Sequence, residues 1–207
     1  MTMSTVAIVD YGMGNVASVR NAFLLLGAEA TITARAEDFR EATHIVLPGV
    51  GAFGDGMRNL RENGLVDILA REALERKKPF LGICLGMQLL ADAGEEGGEN
   101  AGLGWIHGRV RRFRVDESAF RIPHVGWDDV TPSSEELLFK GVASSVFYFV
   151  HSFVFDAADA LDVAATCEYG ERFTAGVRHG NVVGMQFHPE KSQKSGLSFL
   201  KNFLEMA

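Results

Sequence analysis

The chain lacks most of the features that mark secreted, membrane-bound and nucleic-acid-binding proteins. Only two cysteines, Cys84 and Cys167, occur in its 207 residues, which argues against a disulfide-based scaffold and favours a reducing compartment. No apolar run approaches the roughly 18 residues that a membrane-spanning helix needs. The amino-terminal sequence MTMSTVAIVDYG has neither the basic nor the apolar segment of a signal peptide, so we expect a cytoplasmic protein.

Positive charge is also scarce. The formal net charge is −7, and the densest basic cluster is RVRRFR at 109–114. Its charges alternate with apolar residues, as on the solvated face of a strand, so nucleic acid is not an expected partner. A hydrophobic fraction of 47% is typical of globular proteins. Neither a linker nor a repeat interrupts the sequence, and we expect a single domain over residues 1–207.

The first half of the chain alternates short apolar runs with helical patterns. The segment NVASVRNAFLLLG has helical spacing, and a second helical segment, GMRNLRENGLVDILAREALERKK, is broken at Asn63-Gly64. Strands are predicted at 5–10, 30–33, 44–48 and 79–83. Apolar strands separated by helices predict a doubly wound α/β fold, in which helices cover both faces of a mostly parallel central sheet.

The second half is richer in strands. Short β-rich runs follow one another with turn signals between them: VRRFRV, SVFYFVHSFVF, DVAATCEY, RFTAGVRHG and NVVGMQF. RHGN at 178–181 predicts a hairpin turn, so we expect an antiparallel extension of the sheet. The last segment, SGLSFLKNFLEM, places Leu197, Leu200 and Leu204 on one face of a helix.

GMGNVA at 12–17 matches the glycine pattern of dinucleotide-binding turns between a strand and a helix. A nicotinamide site would also need an acidic residue at the end of the second strand, where TITARAED offers Arg35 and acids only beyond it. Arg35 suits a 2′-phosphate, so nucleotide binding stays open. We favour a structural interpretation, in which Gly12 and Gly14 simply permit a tight turn.

GICLG at 82–86 places Cys84 where a strand turns into a helix, with a glycine two residues away on either side. A lone intracellular cysteine is usually an inert, buried residue. On such an elbow, however, the side chain projects from the carboxyl edge of the sheet. Free N–H groups of a following helix lower a thiol pKa from about 8.5 toward neutrality. The Leu85 N–H is placed to stabilise an oxyanion.

A cysteine nucleophile needs a base, and of the six histidines only His188 has a matched carboxylate. In QFHPE, His188 and Glu190 lie two residues apart, so on an extended segment both side chains project from one face. Glu190 then orients the imidazole, as the third member of a catalytic triad does. A metal site at this pair is a weaker alternative, because no third ligand lies at short spacing.

The segment LPGVGAFGDG at 47–56 follows another apolar strand. Its glycines keep side chains away and present backbone N–H groups at the same sheet edge, which suits an anion or an oxyanion. A glycine-rich loop alone is more often only a turn.

PGVG, GICLGMQLL and HPE, in this order and at these separations, resemble the class I (triad-type) glutamine amidotransferases, whose fold is flavodoxin-like. DYGMGN, HVGW and YFVHSF narrow the resemblance to the glutaminase subunits of imidazole glycerol phosphate synthases. The resemblance spans nearly the whole chain and includes a D-Y-G-x-G-N turn that binds no dinucleotide. It implies hydrolysis of glutamine to glutamate and ammonia, which a (β/α)8-barrel cyclase partner uses in histidine biosynthesis.

The resemblance also implies roles for individual residues. Cys84 would be the nucleophile, His188 the general base and then acid, and Glu190 its orienting group. Val50 or Gly51 would form the oxyanion hole together with Leu85. The glutamine backbone would be held by Gln88, Glu96 and the main chain of His151, Ser152 and Phe153. No cofactor and no metal are implied.

Large amphipathic aromatic residues suit interface cores, so Trp127 and Tyr148, with Lys191 as a weaker candidate, are predicted to contact the partner. Ordinary packing is an equal alternative for Tyr148. Two positions depart from the family pattern: Phe153 stands where tyrosine is common, and Asp128 where asparagine is common. The first change removes a hydroxyl but keeps the main-chain contact, whereas the second bears on the partner contact.

Two other functions remain open at this stage. In the first alternative, the chain has the same triad but supplies ammonia to another synthase, as in anthranilate, pyridoxal phosphate or nucleotide synthesis. Glutaminases of those synthases differ most from this chain in the segment that matches YFVHSF. The chain would instead be a non-catalytic nucleotide-binding module if GMGNVA binds a nucleotide and Cys84 is merely buried.

Overall fold

Residues 4–133 and 136–206 are described by the computed structural model. The helices are α1 (Val16–Leu25), α2 (Ala36–Glu41), α3 (Phe53–Glu62), α4 (Leu65–Ala70), α5 (Leu85–Gln88) and α6 (Gln193–Leu204). The strands are β1 (Thr5–Val9), β2 (Glu29–Thr33), β3 (His44–Gly49), β4 (Phe80–Cys84), β5 (Ala93–Gly94), β6 (Asn100–Ala101), β7 (Gly108–Arg112), β8 (His124–Pro132), β9 (Val146–His151), β10 (Phe153–Ala157), β11 (Val163–Tyr169), β12 (Glu171–His179) and β13 (Val182–Met185).

Five parallel strands form the centre of the sheet in the order β2-β1-β3-β4-β13. Their side chains alternate between two cores: Val6 and Ile8 of β1 face one, whereas Ala7 and Val9 face the other. Both faces therefore need cover, which explains why these strands are almost wholly apolar.

Helices cover both faces of this parallel core. Phe23 of α1 and Phe199 of α6 are fully buried on one face, and Met57 of α3 and Leu69 of α4 are buried on the other. Full burial of one such side chain contributes about 1.5–3 kcal/mol relative to leaving it exposed. The predicted doubly wound α/β class is confirmed.

The antiparallel extension begins at β13 and divides into two arms. β12 pairs with β13 and with both β10 and β11; one arm continues from β10 to β7, β5 and β6, and the other from β11 to β8 and β9. The β12–β13 hairpin turns at Gly180, whose φ of +61° lies in the left-handed region, as RHGN predicts. The second arm returns to the core because the His188 N–H donates to Tyr148 O of β9 at 2.9 Å.

The structure adds three local features to the sequence analysis. The β-rich run SVFYFVHSFVF forms two strands: it breaks at Ser152 into β9, which pairs with β8, and β10, which pairs with β7 and β12. The nine-residue strand β8 has no continuous apolar sequence that would have indicated a strand, because its inward side chains alternate with exposed ones. The helix after Cys84 is a single turn, Leu85–Gln88, so a long helix dipole does not act on the sulfur.

Among the described residues, no helix is long and apolar enough to cross a lipid bilayer.

Candidate active site

Cys84 ends β4 on a strained elbow at the carboxyl edge of the parallel sheet. Its φ and ψ of 54° and −109° are unusual for a residue with a side chain, and strain of this kind concentrates at functional sites. The glycines on either side are required by space. A Cβ on Gly82 would lie 2.5 Å from Gly86 O, and one on Gly86 would lie 1.8 Å from Leu47 O. The elbow predicted from GICLG is therefore present.

His188 and Glu190 lie just beyond β13, which is the parallel neighbour of β4. His188 Nδ1 is 2.9 Å from Glu190 Oε1, and the two side chains are only 2% and 1% exposed. The backbone is fixed on this side because Ser192 Oγ donates to His188 O at 2.7 Å. Glu190 thus leaves the imidazole Nε2 facing away from the carboxylate.

The electrostatics of His188 are those of a charged imidazole. Burial alone would lower its pKa, but the interactions with Cys84 and Glu190 outweigh burial and raise the pKa to about 9. His188 Nε2 makes no hydrogen bond of regular geometry, as is common in unliganded active sites. His188 therefore keeps its proton at neutral pH, as in a thiolate–imidazolium pair.

A cavity of about 370 Å³ opens over the sulfur. It is built from the loop after β3, the elbow after β4 and the β9–β10 junction. Its lining comprises Val50, Gly51, Ala52, Cys84, Leu85, Gln88, Glu96, Pro123, Val150, His151, Ser152 and Phe153. All the residues that the sequence predicts for the oxyanion hole and for substrate binding are in this set; Ala52, Pro123 and Val150 are additional.

Two polar side chains of the cavity are held by backbone groups. Gln88 Nε2 donates to Phe153 O at 3.1 Å. Glu96 Oε2 accepts the N–H of Phe53, the first residue of α3, at 2.8 Å. Each therefore keeps one oxygen for a ligand, so the cavity can bind an ammonium group.

Three polar residues beside the cavity were not predicted as a unit. His151 Nδ1 lies 2.8 Å from Phe153 O, and His124 bridges His151 Nε2 at 3.1 Å and Asp128 Oδ2 at 2.7 Å. The Phe153 carbonyl and the carboxylate accept one proton each, and the contact between the two rings needs another. Two neutral imidazoles carry only two of the three protons that these contacts would use.

Burial favours the neutral form of both imidazoles. It lowers the pKa of His151 to about 3, against the opposing hydrogen bond to Phe153 O. Burial also lowers the pKa of His124, although Asp128 opposes it through a hydrogen bond and its charge. The side chain of Asp128 points to His124.

The side chains predicted to contact a partner lie at the mouth of the site. Trp127 is 45% exposed, and its ring packs on Tyr148 at a centroid distance of 5.6 Å. Lys191 Nζ lies 5.7 Å from the centre of the Tyr148 ring. Two further exposed apolar residues, Val50 and Val125, extend this patch. Tyr148 also contacts His188, with ring centres 6.4 Å apart.

A second cavity and the distribution of possible metal ligands can be compared with this site. A larger cavity, of about 560 Å³, lies between α6 and the turn near Leu138, and Lys140, Arg178 and Glu205 line it. Among the described residues that line it there is neither a cysteine nor a histidine. Within residues 4–133 and 136–206, no three Asp, Glu, His or Cys side chains come together as metal ligands.

The GMGNVA segment forms a tight turn between β1 and α1. Gly12 and Gly14 both have positive φ, and a Cβ on Gly14 would lie 3.4 Å from the Pro48 backbone. Asn15 Oδ1 accepts the Ser18 N–H and begins α1. Arg35 is paired with Glu37 at the surface.

Comparisons with known proteins agree with this geometry. A family model described as "Glutamine amidotransferase class-I" matches residues 7–207. The chain is 46% identical over 209 residues to "Imidazole glycerol phosphate synthase subunit HisH 2" of Nitrobacter winogradskyi, with 98% of this chain and 99% of that protein covered. Over 202 residues it is 45% identical to the protein of the same name from Pseudomonas aeruginosa, with 97% and 99% covered.

Solved structures with similar folds have lower sequence identity. A structure described as a glutamine amidotransferase has a TM-score of 0.74 at 24% identity, with 96% of this chain and 97% of that chain covered. PurLQS from Thermotoga maritima has a TM-score of 0.75 at 22% identity, with 99% of each chain covered. At these identities the likeness concerns the fold.

Proposed function

This chain belongs to the class-I glutamine amidotransferase family, and we propose that it is the glutaminase subunit of an imidazole glycerol phosphate synthase. The observation that carries the proposal is the strained Cys84 elbow beside the His188–Glu190 pair, in which Nδ1 and Oε1 are 2.9 Å apart. Identities of 44–46% to proteins named as HisH subunits of that synthase support the assignment to this enzyme. Its product, ammonia, would serve histidine biosynthesis.

The proposed reaction begins when the Cys84 sulfur attacks the side-chain amide carbon of glutamine. The carbonyl electron pair moves to oxygen, and the oxyanion is stabilised by the N–H of Leu85 and by that of Val50 or Gly51. His188 then gives its proton to the departing ammonia, and a γ-glutamyl thioester remains. Water, activated by His188, cleaves the thioester to glutamate and restores the thiolate.

The cavity explains how the amino-acid end of glutamine would be held. Glu96 keeps one carboxylate oxygen for the α-ammonium group, and Gln88 keeps its amide oxygen for the same group. The main chain at His151, Ser152 and Phe153 forms the opposite wall. Because Phe153 O already accepts bonds from Gln88 and His151, this wall is ordered before the substrate binds.

The proposed partner is a (β/α)8-barrel cyclase that docks over the apolar mouth formed by Val50, Val125, Trp127 and Tyr148, beside Lys191. Exposed aromatic and aliphatic side chains of this kind suit an interface core. Free ammonia is protonated in bulk water, so it reaches the cyclase efficiently only if the site opens into the partner. The polar site next to an apolar rim supports that arrangement.

The test is glutamate release from glutamine by the purified chain, with and without a purified barrel cyclase. We expect activity that rises on adding the cyclase and is lost in Cys84→Ala. Equal activity of Cys84→Ala would reject the catalytic proposal. Copurification with a different synthase, and activation by it alone, would reject the assignment to imidazole glycerol phosphate synthase.

A further inference from the structure

Gln186 is a polar side chain buried completely between the nucleophile and the substrate cavity. It follows β13 and precedes His188 by two residues. Its Oε1 accepts from Gln88 Nε2 at 2.9 Å, and its Nε2 donates to Cys84 Sγ at 3.6 Å. A buried amide is costly unless both of its ends form hydrogen bonds. Gln186 forms one with the sulfur and one with a cavity residue, so its position indicates a role at the site.

The direction of this hydrogen-bond chain is fixed by a backbone carbonyl. Phe153 O can only accept, so the Gln88 atom 3.1 Å away must be the amide nitrogen. The same nitrogen bonds Gln186, whose facing atom must therefore be its oxygen. The Gln186 nitrogen then has to face the sulfur, independently of how the amide is assigned.

Two further polar groups lie close to the sulfur, the His188 imidazole and a backbone carbonyl. The carbonyl, Val150 O, lies 3.9 Å from Cys84 Sγ and suits a protonated thiol, which can donate to it. Among the described residues, Gln186 is the side chain whose N–H meets hydrogen-bond geometry at this sulfur. When the sulfur is an anion, Val150 O opposes the charge and the Gln186 N–H stabilises it.

We propose that Gln186 is a further catalytic residue, which stabilises the Cys84 thiolate with its N–H and fixes the Gln88 amide with its oxygen. The proposal rests on the glutaminase function. The sulfur is anionic before the C–S bond forms, and again when water attacks the thioester and the C–S electron pair returns to sulfur. In both states the Gln186 N–H already points at the atom that carries the charge, so no reorganisation is needed.

The first test follows the alkylation of Cys84 by iodoacetamide against pH, in a Cys167→Ala background and without glutamine. In Gln186→Met, which keeps the volume but loses both hydrogen bonds, we expect the midpoint to rise by about one pH unit, so that the rate at pH values below the midpoint falls about 10-fold. Gln186→Glu replaces the donor with a carboxylate, whose charge next to the sulfur should raise the midpoint further. The other ionisable groups around the sulfur are the same in both variants: Tyr11, His151, His188 and Glu190.

The second test separates the two bonds by steady-state kinetics with the barrel cyclase. Gln186→Glu retains an acceptor for Gln88, so we expect a KM near that of the parent and a kcat lower by about 10-fold. Gln186→Met loses the acceptor too, so its KM should also rise. Val183→Ala, a buried change on β13, the strand that precedes Gln186, is the matched control for a loss of stability. It should leave the alkylation midpoint unchanged.

An unchanged midpoint in folded Gln186→Met and Gln186→Glu would overturn the proposal. If Gln186→Met does not fold, Gln186→Glu decides alone, because it keeps the size and the bond to Gln88. A midpoint that Val183→Ala raises equally would also overturn it. Since alkylation needs neither glutamine nor partner, a shifted midpoint without glutaminase activity would support the role of Gln186 at the sulfur and reject the proposed function.

Discussion

Cys84 and Cys167 are both buried free cysteines, 6% and 1% exposed, yet their surroundings differ in almost every other respect. Cys84 has a strained backbone, lines a cavity and lies beside a charged imidazole. Cys167 lies in the extended strand β11, paired with residues of β12 and β8. Burial raises the pKa of Cys167 to about 12, and the charge of Asp128 adds to this. Burial alone therefore does not decide thiol chemistry; the donors and cations around the sulfur do.

The largest difference in activity should appear when each cysteine is replaced by alanine in turn. Cys84→Ala removes the proposed nucleophile, so glutamate release with the cyclase should fall on the order of 10⁴-fold or more. Cys167→Ala should change the rate by less than about 2-fold and cost about 1 kcal/mol of stability through the lost side-chain volume. Glutaminase assays and urea unfolding measure the two quantities. Comparable losses of activity would abolish the distinction between the two sites.

The next effect concerns the orientation of His188. Glu190→Gln replaces an acceptor at Nδ1 with an amide that can donate, which favours the wrong tautomer, so kcat should fall on the order of 10²–10⁴-fold. Glu72→Gln is the matched control: Glu72 is a buried carboxylate paired with Arg76 and Lys78 far from the sulfur. It should lose stability and keep kcat. A Glu190→Gln enzyme with normal kcat would mean that Cys84 needs no oriented imidazole.

The elbow itself can be tested through its glycines, with a glycine of β8, the strand that pairs with the Cys167 strand, as the control. Gly86→Ala puts a Cβ within 1.8 Å of Leu47 O, and we expect a loss of about 3 kcal/mol from overpacking. At Gly126 of β8 nothing lies within 4 Å of an added Cβ, so Gly126→Ala should stay within about 0.5 kcal/mol. Urea unfolding compares them, and equal effects would show that the elbow is not tightly packed.

The pH dependence of stability should also separate the two cysteines. The pKa of His188, raised to about 9 in the fold, is about 6.5 in an unfolded chain. Its contribution is therefore complete below pH 6.5 and is lost as the pH rises through 9. Cys84→Ala should weaken this loss between pH 6.5 and 8, because Cys84 helps to raise the pKa of His188. Cys167→Ala should keep the loss in that range, since the raised pKa of Cys167 affects stability only above about pH 8.5. Unfolding free energies from pH 6 to 8 measure it, and identical curves for both variants would contradict the assignment.

Asp128 lies between the two sites and should give the smallest effect. Asparagine can donate to His124 Nε2, so Asp128→Asn supplies the third proton of these contacts while both imidazoles stay neutral. We expect glutaminase activity within about 3-fold of the parent and a gain of about 1 kcal/mol in the free energy of unfolding at pH 8, measured by urea unfolding. A loss of stability in Asp128→Asn would contradict this account of the hydrogen bonds.

The sequence predicts the parallel core well because both of its faces are buried. Strands such as β3 and β4 are continuous apolar runs, and the break at Gly64, with a φ of 64°, separates α3 from α4 as the glycine indicates. β8 escapes prediction because its inward residues alternate with solvent-facing ones. The break at Ser152 depends on which neighbouring strand each half pairs with, which is not a local property.

The same limit applies to the site. Cys84, His188 and Glu190 have local signals, an elbow and an HPE pair, and can be predicted. Gln186 and Asp128 have none, because a buried glutamine or an inward aspartate is recognisable only from a partner far along the chain. A polar residue inside an apolar strand was the available sign for Gln186, since MQF places it between two buried apolar residues.

The most direct test of the account is covalent labelling with a glutamine analogue that carries a diazoketone in place of the amide, followed by trypsin digestion and mass spectrometry. Cys84 lies in the tryptic peptide 78–109 and Cys167 in 141–172. We predict that the label appears on 78–109 in proportion to the lost glutaminase activity, and that glutamine protects against it. Label on 141–172, or inactivation without label on 78–109, would contradict the assignment of Cys84 as the nucleophile.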